Sequence, residues 1–179
     1  MNVFETDRLA LSHLSADDAT FIFELLNTPG WLQFIGDRGI KTLHDAAQYI
    51  LNGPVKSYKS NGFGLLAVRL KDSLEAIGIC GLIKRAGLDD IDIGFAFLPA
   101  YNGKGYAAEA AHATLDYGFE NVGLNRIVAI TNEDNINSIR LLKKIGMQYE
   151  RKILLDGDSE ELLLFSIAHS IIQSGNLLG

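Results

Sequence analysis

The stretch from Gly94 to Glu109 constrains this chain most. An apolar run ends at Pro99, a short polar turn carries Gly103 and Gly105, and a helix-forming run begins at Tyr106. The order is strand, glycine turn, helix N-terminus. Lacking Cβ atoms, the two glycines reach φ > 0 and let a ligand touch the backbone. The first amides of the helix have no acceptor within it and lie at the positive end of its dipole. Together these features make an anion site, most often for phosphate. A tight loop with two incidental glycines is the alternative.

The flanking segments say what holds that turn. Upstream, Phe63 to Leu70, Ala76 to Lys84 and Asp90 to Leu98 are strand-like runs joined by short turns, which predicts an antiparallel meander. Downstream, Ala107, Ala111, Leu115, Phe119 and Val122 keep helical spacing from Gly105 to Val122, and Gly123 suits the helix end. Arg126 to Thr131 is a β-branched strand. A helix joins it to the strand before, so the two are expected to run parallel. A helix from about Asn137 to Ile145 stops at Gly146, and residues 147–155 and 161–170 predict a closing hairpin. Residues 171–179 read as a frayed tail.

At the other end, Arg8 to His13 predicts a strand. Ser15 to Asp18 is a capping box opening a helix to about Leu26, which Thr28, Pro29 and Gly30 end. Trp31, Phe34 and Ile35 follow in a loop or short turn. Thr42 to Asp45 is a second capping box, opening a helix to Ile50 or Leu51 that Asn52, Gly53 and Pro54 should stop, with room for a short helical piece to Ser60 after it. No repeat or linker interrupts the 179 residues, so one domain is expected over 1–179, its core at about 5–167.

Composition removes several classes. A net charge of -6 argues against a general nucleic-acid binder, whose footprint is a basic face. The lone Cys80 excludes an internal disulfide, and its apolar surroundings, Ile77 to Leu82, make it a buried thiol rather than a nucleophile. The N-terminus lacks a signal pattern and no apolar run reaches membrane-spanning length, so a cytoplasmic protein without a membrane partner is expected. His13 and His112 fall inside elements and read as structural. No histidine pair has metal-ligand spacing, so no metal is expected, and no Ser-His-Asp arrangement is readable. Gly103, Gly105 and Ala108 also fit the dinucleotide fingerprint. That fold needs repeated strand-helix-strand units and an acidic residue ending the next strand, whereas here the strand ends at Thr131-Asn132. A Walker loop is excluded by its longer spacing and its Lys-Ser/Thr pair.

Three stretches, in order, carry a family resemblance: Phe4 to Leu11, Gly103 to Ala110, and Asn135 to Met147. Over Glu5 to about Ile167 the chain resembles the GNAT superfamily of acyl-CoA N-acyltransferases, and within it the branch of ribosomal-protein N-terminal acetyltransferases. The resemblance implies an α/β (α+β) fold. Its central sheet is mixed but mostly antiparallel, splayed between two parallel strands and flanked by helices. It implies acetyl-CoA as donor and acetyl transfer to a primary amine, either a small molecule or a peptide or protein N-terminus. It also makes a homodimer a common assembly. A non-catalytic module that binds acyl-CoA is the alternative.

The same resemblance implies site residues. Asn102, Gly103, Lys104, Gly105, Tyr106 and Ala107 would hold the pyrophosphate. Phe97 and Leu98 would offer a strand edge to the pantetheine, with an amide near Phe97 for the carbonyl oxygen. Asn135 and Ser138 would face the pantetheine arm, although both also suit a helix cap. Lys143 and Lys144 are candidates for the 3′-phosphate or a solvated helix face. Asp92 would be the general base, directly or through water, or else a surface carboxylate beside Asp89 and Asp90. Trp31, Phe34 and Asp37 would wall the acceptor pocket, or simply pack. The sequence departs from the family at three places. Ala100 stands where Gln or Arg is frequent, Met147 where Phe is usual, and Leu142 where many members carry an acidic Tyr. Ser138 is then the candidate donor to the leaving thiolate.

Overall fold

The computed structural model describes residues 2–169. Strands β1 (Asn2–Glu5), β2 (Leu9–His13), β3 (Leu65–Leu70), β4 (Ala76–Ile83), β5 (Asp92–Phe97), β6 (Arg126–Thr131), β7 (Gln148–Ile153) and β8 (Leu162–Ala168) form one sheet. Its order is β1-β2-β3-β4-β5-β6-β8-β7. Neighbours are antiparallel except β5 and β6, which run parallel and share the single ladder pair Asp92 with Val128. The expected meander, crossover and closing hairpin are all present; the tail at 171–179 lies outside the described residues.

Helices α1 (Ala19–Leu26) and α3 (Leu43–Ile50) cover one sheet face. Ile22, Leu25, Leu26, Ala46 and Ile50 pack there on Ala67, Ile79 and Leu98. Helices α5 (Tyr106–Tyr117) and α6 (Ile136–Lys144) cover the other, where Ala111, Leu115 and Leu142 join Val68, Cys80, Leu82, Ile93, Ile127 and Phe165. Alternate strand residues therefore serve two cores, as a pleated strand buried on both faces requires.

Three elements depart from the sequence expectation. Asn2–Glu5 is a strand paired on β2, too short to show a period. Residues around Trp31 form a helix, α2 (Pro29–Phe34), not a loop. The Thr28 hydroxyl accepts the Trp31 amide and Pro29 occupies the first helical position, where its missing N–H costs nothing. Pro54 does not stop the helical run. The chain widens into a π-helical turn at Leu51–Val55 and continues as α4 (Lys56–Asn61), ending at left-handed Gly62. A widened turn absorbs the amide that proline lacks.

Candidate active site

Gly103 and Gly105 have φ of +74° and +82°, in the left-handed region that favours glycine. Gly105 is the N-cap of α5 and supplies no side-chain cap. The first helical bond runs from the Glu109 amide to the Gly105 carbonyl, at 3.1 Å. The amides of Gly103 to Ala108 have no acceptor among the described residues. A concave run of donors at a helix N-terminus fits a pyrophosphate, and Gly103, Lys104, Gly105, Tyr106 and Ala107 would hold it.

A strut from the first strands braces this loop. Arg8 donates from Nη1 to the Lys104 carbonyl at 3.0 Å and from Nε to Glu109 Oε2 at 2.7 Å. The Arg8 amide and the Thr6 hydroxyl both donate to Glu109 Oε1, at 3.0 and 2.6 Å. The guanidinium also lies 4.4 Å from the Tyr106 ring centroid. Burial pushes the Glu109 carboxyl up, but the Thr6 and Arg8 hydrogen bonds and the Arg8 charge outweigh it and hold the group below the usual range. In the sequence Thr6 and Arg8 stand only at the start of a strand and of a resemblance, and their separation from Glu109 by about a hundred positions hides the contact.

Beyond Asp92, β5 and β6 diverge. Which backbone groups face the gap follows from alternation. The Ile91 carbonyl accepts the Val128 amide on the β6 side at 3.0 Å, while the Leu98 amide turns to Ile77 of β4 at 2.9 Å. Residues of one parity thus point their N–H and C=O toward β6, so Phe95 and Phe97 present the free edge. Leu98, expected to share this edge with Phe97, has its amide engaged on β4 and its side chain in the α1–α3 core.

Asp92 begins β5 at the root of that gap. It is 1% exposed, which overturns the surface-carboxylate alternative. Its Oδ2 accepts from Arg85 Nε at 3.1 Å, and its Oδ1 has no partner among the described residues. Asp89 is exposed, and Asp90 is bound to Arg126 at 3.0 Å. On α6, Asn135 is the N-cap and accepts the Ser138 amide at 3.2 Å. Leu142 is fully buried in the α5–α6 core, where such a side chain contributes about 1.5–3 kcal/mol. The position that carries an acid in many relatives is a packing residue here. Lys143 and Lys144 sit in the last turn, at the opposite end of α6 from Asn135 and Ser138.

On the acceptor side, Trp31 is 6% exposed within the α1–α3 core, and its indole N–H has no acceptor among the described residues. The Phe34 carbonyl accepts from Asn132 Nδ2 at 2.8 Å, tying the end of α2 to the residue after β6. Asp37 is exposed and engaged in its own turn. It accepts from the Gly39 amide at 2.7 Å and pairs with Lys41 at 3.4 Å. His13, the last residue of β2, and His112, within α5, are both exposed: His13 stacks on Tyr58 and His112 meets Asp116. Burial pushes the Cys80 thiol up to about 12, so it stays protonated and unreactive. Among the described residues, no His, Cys, Asp and Glu cluster could hold a metal, and no helix is long and apolar enough to cross a membrane.

An amide-lined helix start beside an open strand edge, with a buried carboxylate at the root of the gap, is an arrangement that an acyltransferase using coenzyme A could use. Residues 8–148 match the family model described as acetyltransferase (GNAT) domain, and the chain belongs to that family. It is 34% identical over 145 residues to the uncharacterized N-acetyltransferase YnaD of Bacillus subtilis, covering 81% of this chain and 82% of that one. A GNAT-family acetyltransferase structure from Bacillus anthracis superposes with a TM-score of 0.77 at 27% identity, over 93% of this chain and 98% of that one. RimL, a ribosomal L7/L12 alpha-N-protein acetyltransferase solved with coenzyme A, shares the fold. Its TM-score is 0.79 at 14% identity, over 94% and 98% of the chains. The protein is an N-acetyltransferase with acetyl-CoA as its donor.

Proposed function

We propose that the chain moves the acetyl group to a primary amine, of a small molecule or a peptide or protein N-terminus, by direct attack within a ternary complex. A cytoplasmic location belongs to the same reading. The buried, unpartnered Oδ1 of Asp92 carries it, because a free carboxylate oxygen shielded from water is a proton acceptor waiting for a donor. Acetyl-CoA, when bound, supplies an activated acyl thioester. The Gly103 to Ala107 amides orient its pyrophosphate, and the Phe95 and Phe97 edge pairs with its pantetheine as an added strand would. The Phe97 N–H donates to the carbonyl oxygen as that atom gains charge. Asp92 accepts the proton that the acceptor ammonium must lose. Trp31 and Phe34 wall the acceptor entry.

Free thiol release measured across a panel of amines tests this reading. The panel is spermidine, an aminoglycoside, and peptides beginning with Ala or Ser. The protonated, buried Cys80 keeps the protein's own thiol silent in such an assay. The expected result is thiol release matched by acetylated product for one class of amine. Acetyl-CoA binding with no transfer to any class would overturn this reading of the acceptor.

Ser138 is proposed as the donor to the leaving sulfur. Its amide is held by Asn135, which aims the first turn of α6. The leaving thiol has a pKa near that of cysteine, about 8.5, so a hydrogen bond suffices without full proton transfer. Ser138→Ala is expected to lower kcat about tenfold to a hundredfold, about 1.4 to 2.7 kcal/mol, with acetyl-CoA affinity nearly unchanged. Asn135→Ala should mainly weaken acetyl-CoA binding. Steady-state kinetics on folded variants decides, and an unaltered kcat in Ser138→Ala would reduce Ser138 to a capping neighbour.

A further inference from the structure

Arg85 lies in the connection between β4 and β5, seven residues before Asp92, and meets it with one hand. Only its Nε donates to Asp92, and only Oδ2 accepts. Arginine and carboxylate frequently pair with two parallel bonds. Here the guanidinium leaves Oδ1 uncovered, although that oxygen is buried. The exposures are also unequal, 32% for the Arg85 side chain against 1% for Asp92. Arg85 therefore keeps contact with water while its partner does not.

This asymmetry answers a difficulty in the proposed chemistry. A carboxylate removed from water tends to take a proton, and a protonated carboxyl cannot act as a base. Burial does push the Asp92 carboxyl up, and the Arg85 charge and hydrogen bond pull it part of the way back. Among the described residues, no other side chain offsets burial in this way. β4 places Ile83 opposite Asp92, and β6 places Val128 beside it. From α3, Tyr49 lies in the fields of Arg38 and Arg85, but burial pushes its hydroxyl up and keeps it neutral. The nearby Asp90 is held by Arg126.

We propose that Arg85 is a positioning residue for the transfer reaction: it holds Asp92 ionised through Oδ2 and so presents Oδ1 to the acceptor. The inference rests on Asp92 being the base. An acceptor N–H bond breaks, directly or across one water, and an O–H bond forms at Oδ1. The proton then leaves to solvent while Arg85 keeps its charge throughout, as guanidinium does at any working pH.

Two titrations test it, on wild type, Arg85→Gln and Arg85→Lys. The first follows the Asp92 carboxyl carbon by 13C NMR, assigned as the resonance lost in Asp92→Asn. The second follows the pH dependence of transfer to whichever panel amine is accepted. In Arg85→Gln the carboxyl midpoint and the acidic limb of kcat/KM should both move up by about one pH unit or more, since a neighbouring cation lowers a carboxyl pKa by about 1–3 units. Arg85→Lys should restore most of both. Should Arg85→Gln not fold, Arg85→Met keeps the packing stem without the charge and is measured in its place. An unmoved midpoint in a folded, uncharged variant overturns the inference, as does a moved midpoint with an unmoved acidic limb. Full activity in Asp92→Asn would instead remove the base reading itself, whatever the Arg85 variants show.

Discussion

Asp92→Asn lowers kcat by about a hundredfold to ten-thousandfold, the usual worth of a positioned base and about 2.7 to 5.4 kcal/mol of barrier, while acetyl-CoA still binds. Asn keeps the shape and still offers an oxygen to Arg85, so the loss isolates proton transfer. Stability should move the other way. The folded-state pKa of Asp92 is raised above its unfolded value, chiefly by burial. The folded state then holds the proton more tightly. Stability falls as pH rises through the window between the unfolded and folded values, and the full cost persists above it. Asn removes that cost. Its melting temperature at neutral pH should equal or exceed that of wild type, and its dependence on pH should flatten. Lost activity with retained stability is the signature of a group present for chemistry. A kcat within threefold of wild type in the folded variant would end Asp92's candidacy.

Gly105→Val should weaken acetyl-CoA binding about a hundredfold, about 2.7 kcal/mol. Two effects combine. A φ of +82° is strained for any side chain and worst for a β-branched one. A Cβ there would also sit 3.3 Å from Arg8 Nη2, so the loop or the strut must give. Gly103 provides the control, because its Cβ would meet nothing within 4 Å despite a φ of +74°. Gly103→Ala therefore carries backbone strain alone, about 1–2 kcal/mol. Calorimetry with acetyl-CoA on folded proteins checks both. Unchanged affinity in Gly105→Val would mean that the coenzyme does not touch this turn.

Local chemistry made much of this legible in the sequence. The capping boxes at Ser15 and Thr42 form as written, and Gly123 and Gly146 end helices in left-handed conformations. The glycine turn falls where the sequence puts it, because φ > 0 and a missing Cβ are properties of single residues. What escaped depends on partners. Asp92 reads either as a base or as a surface carboxylate beside Asp89 and Asp90, and its burial is seen only once the chain is folded. Trp31 reads as loop because Thr28-Pro29-Gly30 can end a helix, although Thr28 and Pro29 also start one well. The run past Pro54 continues because a π turn accommodates the ring, which no propensity announces.

The strut from Thr6 and Arg8 to Glu109 makes the coenzyme site a property of the whole chain order rather than of one loop. The turn bearing Gly103 and Gly105 is encoded within a few residues, but its brace arrives from about a hundred positions earlier. Ligand binding on the loop and docking of the first strands are then linked free energies. With pyrophosphate on this loop, as proposed, whatever fixes Arg8 would tighten the grip on it, and the bound group would in turn hold the first strands in place. On the proposed binding mode, changes at Thr6 or Arg8 are expected to alter coenzyme affinity through this loop.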